Sequence, residues 1–298
     1  MRLSDVISKD ELRRLSALSN ARALVDLAWH LALFVAAFAL PIWAPHPVTM
    51  AISIILLAGR MQASGVIAHD CAHGALFRTP YLNQVVGQWI AGAPIHLPLD
   101  AYRAYHLQHH RHAGTAQDPD RWMVKDYPIA RARFWRKIGR DLTGQTALRD
   151  LTAEAKRFAW PHSAPFVAFH VGLLAVLWAL GAPWAYGLWW AARLFVYPAI
   201  HRLRQISEHG TAPNRDSLDA RDNTATTRVA WWEQLVLAPN NVNYHLEHHL
   251  FAAVPSYRLA RLHKLLRARG FYDGRPCINA GYAGVLQRAL RNDKAVAA

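Results

Sequence analysis

The sequence predicts an all-α integral membrane protein with four transmembrane helices in two hairpins and a cytoplasmic helical cap. Three observations support this prediction: two pairs of long apolar runs, the absence of basic residues at the tips of both pairs, and three histidine clusters outside the runs. We expect residues 1–298 to form a single domain, with the histidine clusters in its cap.

The composition is unusual for a soluble domain because the chain is both basic and apolar. Its 298 residues carry a formal net charge of +14, and 53% of them are hydrophobic. The 17 His and 12 Trp are in excess; imidazole is a common metal ligand, and indole favours membrane interfaces. Cys71 and Cys277 are too few for a disulfide framework, which indicates a reducing compartment. No zinc-finger, RNP or helix-turn-helix pattern accompanies the basic charge, so we predict no nucleic-acid partner.

Two apolar hairpins are predicted, over residues 23–68 and 164–200. In the first hairpin, residues 23–44 are almost wholly apolar, and prolines separate them from a second apolar run that ends at residue 68. At about 1.5 Å per residue, each run reaches across most or all of a hydrocarbon core of about 30 Å. The second hairpin consists of residues 164–180 and 184–200, joined by only three residues. Each hairpin therefore predicts two membrane spans.

The distribution of basic residues orients the hairpins. Lys and Arg number 5 in residues 1–30, 12 in residues 101–160 and 14 in residues 201–298, whereas residues 41–50 and 181–183 at the hairpin tips contain none. The positive-inside rule therefore places both termini and the middle region in the cytoplasm. The alternative is two buried helix pairs in a soluble protein, which the length and close pairing of the runs disfavour.

Three other parts complete the predicted domain. Residues 1–22 mix acidic and basic residues with apolar ones at roughly helical spacing, which predicts an interfacial amphipathic helix rather than a signal peptide. Residues 85–99 are apolar but short and contain two prolines, so we predict a re-entrant or interfacial segment. Residues 69–160 and 201–298 then form the cytoplasmic cap.

Three histidine clusters stand out: HDCAH at residues 69–73, HLQHH at residues 106–110 and HLEHH at residues 245–249. Each cluster has His at i and i+4, and the last two add i+3, so each projects its imidazoles from one side of a helix. Two HxxHH patterns far exceed the number that 17 His would produce by chance. Because all three clusters fall on the predicted cytoplasmic side, their histidines can share one site.

Eight imidazoles exceed the needs of one zinc ion, because structural zinc sites close at four ligands and catalytic sites at three plus water. A two-metal centre is therefore predicted. Imidazole suits Zn, Cu, Fe and Ni alike, so the residue type leaves the metal open. The sequence contains neither the Glu-x-x-His pair of ferritin-like di-iron proteins nor the His-Glu-x-x-His of zinc proteases.

The order of the clusters and the hairpins between them resembles the membrane fatty acid desaturase/hydroxylase superfamily, over residues from about 47 to 265. The resemblance implies a four-span protein with a cytoplasmic di-iron centre that uses O2 to attack an unactivated C–H bond of a lipid chain. It also implies a ninth ligand just beyond the fourth span. The implied metal ligands are His69, His73, His106, His109, His110, His209, His245, His248 and His249.

Several polar neighbours of these histidines are candidates for orienting them. Asp70, Glu208 and Glu247 each adjoin an implied ligand and either accept a ring N–H or are ordinary helix-surface carboxylates. Gln205 is also a candidate neighbour, but it stands where some relatives have Asn, four residues before the ninth histidine, and this departure disfavours a water-mediated metal contact. Asn241 precedes the third cluster and either orients its ligands or caps its helix.

The remaining polar residues of interest are assigned to packing or left open. His112 does not extend the i, i+3, i+4 pattern, and the other histidines, including His30 and His263, are interpreted as packing or interface residues. Arg60 and Arg193 lie within predicted spans, where an unpaired charge is costly. They either line a polar mouth between spans or extend to the headgroups.

The predicted function is a membrane-bound, O2-dependent di-iron oxidoreductase, with two Fe ions as cofactors, O2 as co-substrate and a membrane lipid or acyl chain as substrate. A fatty acyl desaturase is the first choice, and a lipid or carotenoid hydroxylase or ketolase of the same superfamily is the alternative. Since no haem or iron–sulfur motif is present, electrons are expected from a separate donor of the ferredoxin, rubredoxin or cytochrome b5 type, and the basic face suits an acidic donor. A zinc-dependent membrane lipid hydrolase is a more distant alternative. A metal transporter is disfavoured because the clusters lie outside the spans.

Overall fold

A computed structural model describes residues 3–291, and over that range the protein is mostly helical. The helices of the first half are α1 (Leu3–Val6), α2 (Lys9–Leu15), α3 (Asn20–Trp43), α4 (Pro47–Ala72), α5 (Pro80–Val85), α6 (Leu99–His112), α7 (Arg121–Val124), α8 (Arg131–Leu142) and α9 (Gln145–Lys156). Those of the second half are α10 (Ala164–Ala179), α11 (Tyr186–Ala191), α12 (Tyr197–Gln205), α13 (Ala220–Asn223), α14 (Trp231–Val236), α15 (His245–Leu250), α16 (Ser256–Ala268) and α17 (Gly281–Ala289). Two short strands, which the all-α prediction did not include, pair in parallel: β1 (Thr226–Arg228) and β2 (Ile278–Ala280).

The first predicted hairpin corresponds to α3 and α4. These two helices have 24 and 26 residues, and both are long and apolar enough to cross a membrane. The Ser19 hydroxyl caps α3 by accepting the Arg22 N–H, and Pro47 begins α4, where its missing N–H costs nothing. Since α4 continues to Ala72, the first histidine cluster lies at the end of this helix rather than in a separate segment.

The second predicted hairpin is shorter and less regular. α10 is apolar but has 16 residues, and the following segment consists of a 3-10 turn, α11, a π-helical segment over Ala192–Val196 and α12. Pro198 lies in the first turn of α12, and proline cannot donate an N–H and clashes with the carbonyl four residues earlier. A π-helical turn accommodates this defect. Between residues 3 and 291, α3 and α4 are therefore the two helices that meet the length and composition of a span.

The segment over residues 85–99 packs against α4. It contains a π-helix over Val86–Gly92 and a 3-10 turn that ends at His96, whose φ is 55°. The contact with α4 is close, because a Cβ added at Gly87 would lie 2.8 Å from Cys71 Cβ. Cys71 is fully buried there, which agrees with a packing role. The location of residues 85–99 relative to the membrane stays a prediction.

The N-terminal segment forms two short helices, and its apolar side chains are covered by protein. Val6, Ile7 and Leu15 are buried in one cluster with Leu259 and Leu262 of α16. The expectation that this apolar face lies on the membrane is therefore wrong for these side chains. These side chains are buried because they pack against the apolar face of α16. The sequence pattern of the first 22 residues does not reveal this contact.

A buried ion pair joins α8 to α12. Arg202 of α12 binds Asp141 of α8 through two nitrogens, with Nη2 2.8 Å from Oδ1. Asp141 is fully buried, and the Thr146 hydroxyl donates a further hydrogen bond to it at 2.6 Å. This pair holds α8 against α12, which leads directly into the π-helical segment over Ile206–Gly210.

Candidate metal centre

Four helical segments bring the nine predicted ligands together. The end of α4 carries His69, with His73 one residue beyond the helix, and α6 carries the second histidine cluster. The π-helical segment over Ile206–Gly210 carries His209, and α15 carries the third cluster. π-helical turns often occur at functional sites because the extra residue redirects a side chain.

Five of these histidines form one group, here called the five-histidine cluster. Their ligand nitrogens all lie within 4.8 Å of one another. The Nε2 atom of His110 lies 3.0 Å from the Nε2 atoms of both His106 and His248. The members are His69, His73, His106, His110 and His248.

The other four form the four-histidine cluster, which consists of His109, His209, His245 and His249. Nε2 of His245 lies 3.0 Å from that of His209 and 3.1 Å from that of His249. Nε2 of His109 lies 3.3 Å from that of His249. The rings of His110 and His249 stack with centroids 4.4 Å apart, so the two clusters are adjacent.

The donor set fits metal ions. The buried Nε2 atoms of His69 and His73 have no hydrogen-bond partner among residues 3–291. Nδ1 of His69 contacts Asp70 at 2.9 Å, and Nδ1 of His209 contacts the carbonyl oxygen of Asn223 at 3.1 Å. A ring N–H bound in this way leaves the Nε2 lone pair facing the cluster. With metal–nitrogen bonds of about 2.0–2.1 Å, adjacent ligand nitrogens lie about 3 Å apart, as these nitrogens do.

Burial keeps most of these imidazoles neutral. Burial, together with the neighbouring imidazoles, lowers the pKa of His110 and of His209 to about 3 in each case. Burial likewise holds the pKa of His245, His248 and His249 well below the usual histidine range. Metals bind the neutral form of imidazole, so these side chains are competent ligands near neutral pH.

His109 is the exception among the nine clustered histidines. Burial alone would lower its pKa, but the hydrogen bond from its Nδ1 to Asp118 (2.7 Å) and the nearby Asp120 and Glu208 carboxylates raise it. A carboxylate bound to the far ring nitrogen makes the other nitrogen a stronger donor to a metal. Sequence reasoning did not single out Asp118, although it lies only nine residues after His109.

Two of the predicted neighbours contact cluster histidines. Asp70 accepts the ring N–H of His69. Glu208 binds the Arg204 guanidinium at 2.7 Å and lies 3.4 Å from Nδ1 of His245.

The other three neighbours have different partners. Glu247 accepts hydrogen bonds from His263, Tyr272 and Thr226 rather than from an adjacent ligand. The Gln205 amide nitrogen contacts Nε2 of His201 at 2.9 Å and the Met123 sulfur. Asn241 accepts from Gln234, and α15 has no side-chain cap, so the capping role expected for Asn241 is wrong. Packing against distant segments decides where each of these three side chains points, and the neighbouring sequence does not specify that packing.

The two arginines of the predicted spans have protein partners. Arg60 is buried and donates to the Leu235 carbonyl oxygen. Arg193 pairs with Glu154 of α9 and lies over the ring of Tyr197. Neither guanidinium depends on lipid headgroups for its partner.

Comparison with known proteins decides the family. The family model described as fatty acid desaturase matches residues 41–278. The chain belongs to the fatty acid desaturase family. This family member is an oxidoreductase, and its relatives include both desaturases and carotenoid ketolases.

Three relatives illustrate the range of this desaturase family. A dihydrorhizobitoxine desaturase from Bradyrhizobium elkanii is 24% identical over 82% of this chain and 74% of its own length. A beta-carotene ketolase from Paracoccus sp. (strain PC1) is 28% identical over 74% of this chain and 82% of its own. An sn-1 acyl-lipid omega-3 desaturase (ferredoxin) from Nostoc sp. (strain 36) is 24% identical over 69% of this chain and 64% of its own.

Replacement of Asp118 in this desaturase-family protein is expected to weaken metal binding. Asp118→Ala removes the acceptor of the His109 ring N–H, and loss of such partners costs about 10- to 100-fold in metal affinity. Asp118→Asn keeps an acceptor oxygen and should lose less. Titration of the purified metal-free chain with Co2+, followed by absorbance, measures the change. Asp126→Ala, which removes a carboxylate paired with Arg133, is the control; unchanged affinity in Asp118→Ala would contradict the prediction.

Proposed function

We propose that the nine histidines hold two iron ions and that the protein is an O2-dependent fatty acyl desaturase of the membrane. The observation that carries this proposal is the pair of adjacent buried clusters, with five and four imidazoles whose Nε2 atoms converge. The family match supports the choice of iron over other metals that imidazole binds. The apolar helices α3 and α4 support a membrane location.

Iron bound in these clusters would supply the redox chemistry that uses O2 to remove hydrogen from an unactivated C–H bond. The chain's own contribution is to present neutral imidazoles from fixed directions. Asp70, Asp118 and the Asn223 carbonyl hold three ring N–H groups, which fixes the ring orientations. The clusters are largely buried, which limits the access of water to them.

A cavity of about 250 Å³ lies beside both clusters. His106 of the five-histidine cluster and His245 of the four-histidine cluster line it, together with Tyr102, His201 and Arg204. Because it borders both clusters, in this proposal it admits small molecules such as O2 to the edge of the centre.

Four spans with a cytoplasmic centre remain part of the proposal, and accessibility labelling tests them. Single cysteines at residues 44–47 and 181–183 should react with an impermeant reagent from outside. Cysteines at residues 115–125 and 215–225 should be protected in intact cells and react after lysis. Labelling of cysteines at residues 115–125 or 215–225 from outside intact cells would contradict the shared cytoplasmic site.

A separate acidic donor is proposed to deliver two electrons to the basic cytoplasmic face. Ferredoxin is the leading class, because the Nostoc relative is named for it. Reconstitution of the purified protein with ferredoxin, rubredoxin or cytochrome b5 type donors in turn identifies the one that supports turnover.

Desaturation, rather than oxygen insertion, is the expected outcome of turnover. Both reactions begin with removal of one hydrogen, and they differ in whether a second hydrogen leaves or oxygen is gained. With acyl chains deuterated at successive carbons, desaturation should remove label from two neighbouring carbons and form a double bond. A product that carries oxygen from labelled O2 and no new double bond would favour hydroxylation or ketolation, as in the Paracoccus relative.

A further inference from the structure

A buried carboxylate lies behind the third histidine cluster. Glu247 of α15 is 0% exposed. Its Oε1 accepts hydrogen bonds from Nδ1 of His263 (2.6 Å) and from the Tyr272 hydroxyl, and its Oε2 accepts one from the Thr226 hydroxyl. The three donors lie on α16, on the turn after α16 and on β1. One side chain therefore ties α15 to three separate parts of the cap.

These contacts matter because α15 is short. It has six residues and no side-chain N-cap, and a helix of that length is not stable by itself in water. It nevertheless supplies His248 to the five-histidine cluster and both His245 and His249 to the four-histidine cluster. Its position must therefore be set by packing and by side-chain contacts on its opposite face.

The contact at Thr226 also links α15 to the ninth histidine. Three residues before Thr226, the Asn223 carbonyl oxygen accepts the ring N–H of His209. The Ala225 N–H donates to the Glu208 carbonyl oxygen at 2.8 Å. The same short segment thus holds His209 on one side and Glu247 on the other.

We propose that Glu247, with His263, Tyr272 and Thr226, forms a positioning network that fixes α15 and thereby places three histidines in two metal clusters. This inference rests on the proposed function, because the position of α15 matters to function only if the clusters bind metal. Removal of Glu247 leaves three buried donors without their acceptor, which costs free energy in the native arrangement and favours a displaced helix. Burial and the Glu247 carboxylate raise the pKa of Tyr272, which keeps its hydroxyl a donor.

Metal affinity of the full-length chain tests the proposal. Co2+ titration of the purified metal-free protein in detergent should show about 10- to 100-fold weaker binding for Glu247→Ala than for wild type. Glu247→Gln should recover most of the affinity, because the amide oxygen still accepts from His263 and Tyr272. The Thr226 hydroxyl can rotate to accept from the amide nitrogen.

A double substitution separates the network from a general loss of stability. Tyr272→Phe should weaken Co2+ binding when Glu247 is present and have no further effect in Glu247→Ala, because its acceptor is already absent. If the losses of Co2+ affinity from the two substitutions add in the double variant, the proposed network is overturned.

Glu233→Ala is the matched control. Glu233 is also buried, and it accepts the Ala230 and Tyr282 N–H groups at 2.8 Å each, away from α15. This variant should lower the thermal midpoint but keep the wild-type Co2+ affinity. The inference is overturned if Glu247→Ala binds Co2+ like wild type, if Glu247→Gln is no better than alanine, or if Glu233→Ala weakens binding equally. A wild-type chain that binds no metal would instead overturn the proposed function itself.

Discussion

Replacement of His110 by alanine is expected to abolish turnover and to lower the iron content below two ions per chain. His110 is at the centre of the five-histidine cluster, since its Nε2 lies 3.0 Å from those of His106 and His248. Its ring also stacks on His249 of the other cluster. Iron analysis of the purified variant, together with O2 consumption in the presence of an acyl substrate and donor, measures both effects.

Two histidine variants serve as controls for His110→Ala. His162 is exposed, and His30 is buried in α3 near Ser64, so alanine at either position should leave the iron content near wild type. His263, which the sequence assigned to packing, is unsuitable as a control because it binds Glu247. One zinc ion per wild-type chain, without O2 consumption, would contradict the di-iron proposal and favour the hydrolase class.

Asp141→Ala is expected to cause the largest loss of stability. It removes the buried partner of Arg202 and leaves a guanidinium without its carboxylate, which typically destabilises a protein by about 3–5 kcal/mol. Thermal unfolding in detergent should therefore show a much lower midpoint. The control is Asp150→Ala, because Asp150 and its partner Arg149 have side chains that are 51% and 67% exposed. Such exposed pairs contribute about 0–1 kcal/mol, so equal midpoints in the two variants would contradict the prediction.

The sequence predicts which histidines come together because the relevant signals are local. Histidines at i, i+3 and i+4 share one helix face wherever the helix lies, so eight of the nine clustered histidines follow from spacing. His209 has no such partner and was included only through the family resemblance. The apolar runs likewise predict α3 and α4 closely.

The remaining features depend on contacts between distant segments. Asp118 reaches His109 only because the loop after α6 folds back, and Glu247 turns towards His263 because α16 packs behind α15. The N-terminal apolar residues face α16 instead of lipid for the same kind of reason. No local pattern distinguishes a carboxylate that faces a ligand from one that faces away.

The continuity of α4 ties the depth of the metal centre to the length of one helix. His69 lies 22 residues after Pro47, and at about 1.5 Å per residue this distance is about 33 Å, close to the thickness of a hydrocarbon core. In the proposed topology the centre therefore sits at the cytoplasmic boundary of the bilayer, and it cannot move inward or outward unless the hairpin tilts. In that topology, the length of α4 fixes the distance between the opposite membrane surface and the proposed centre.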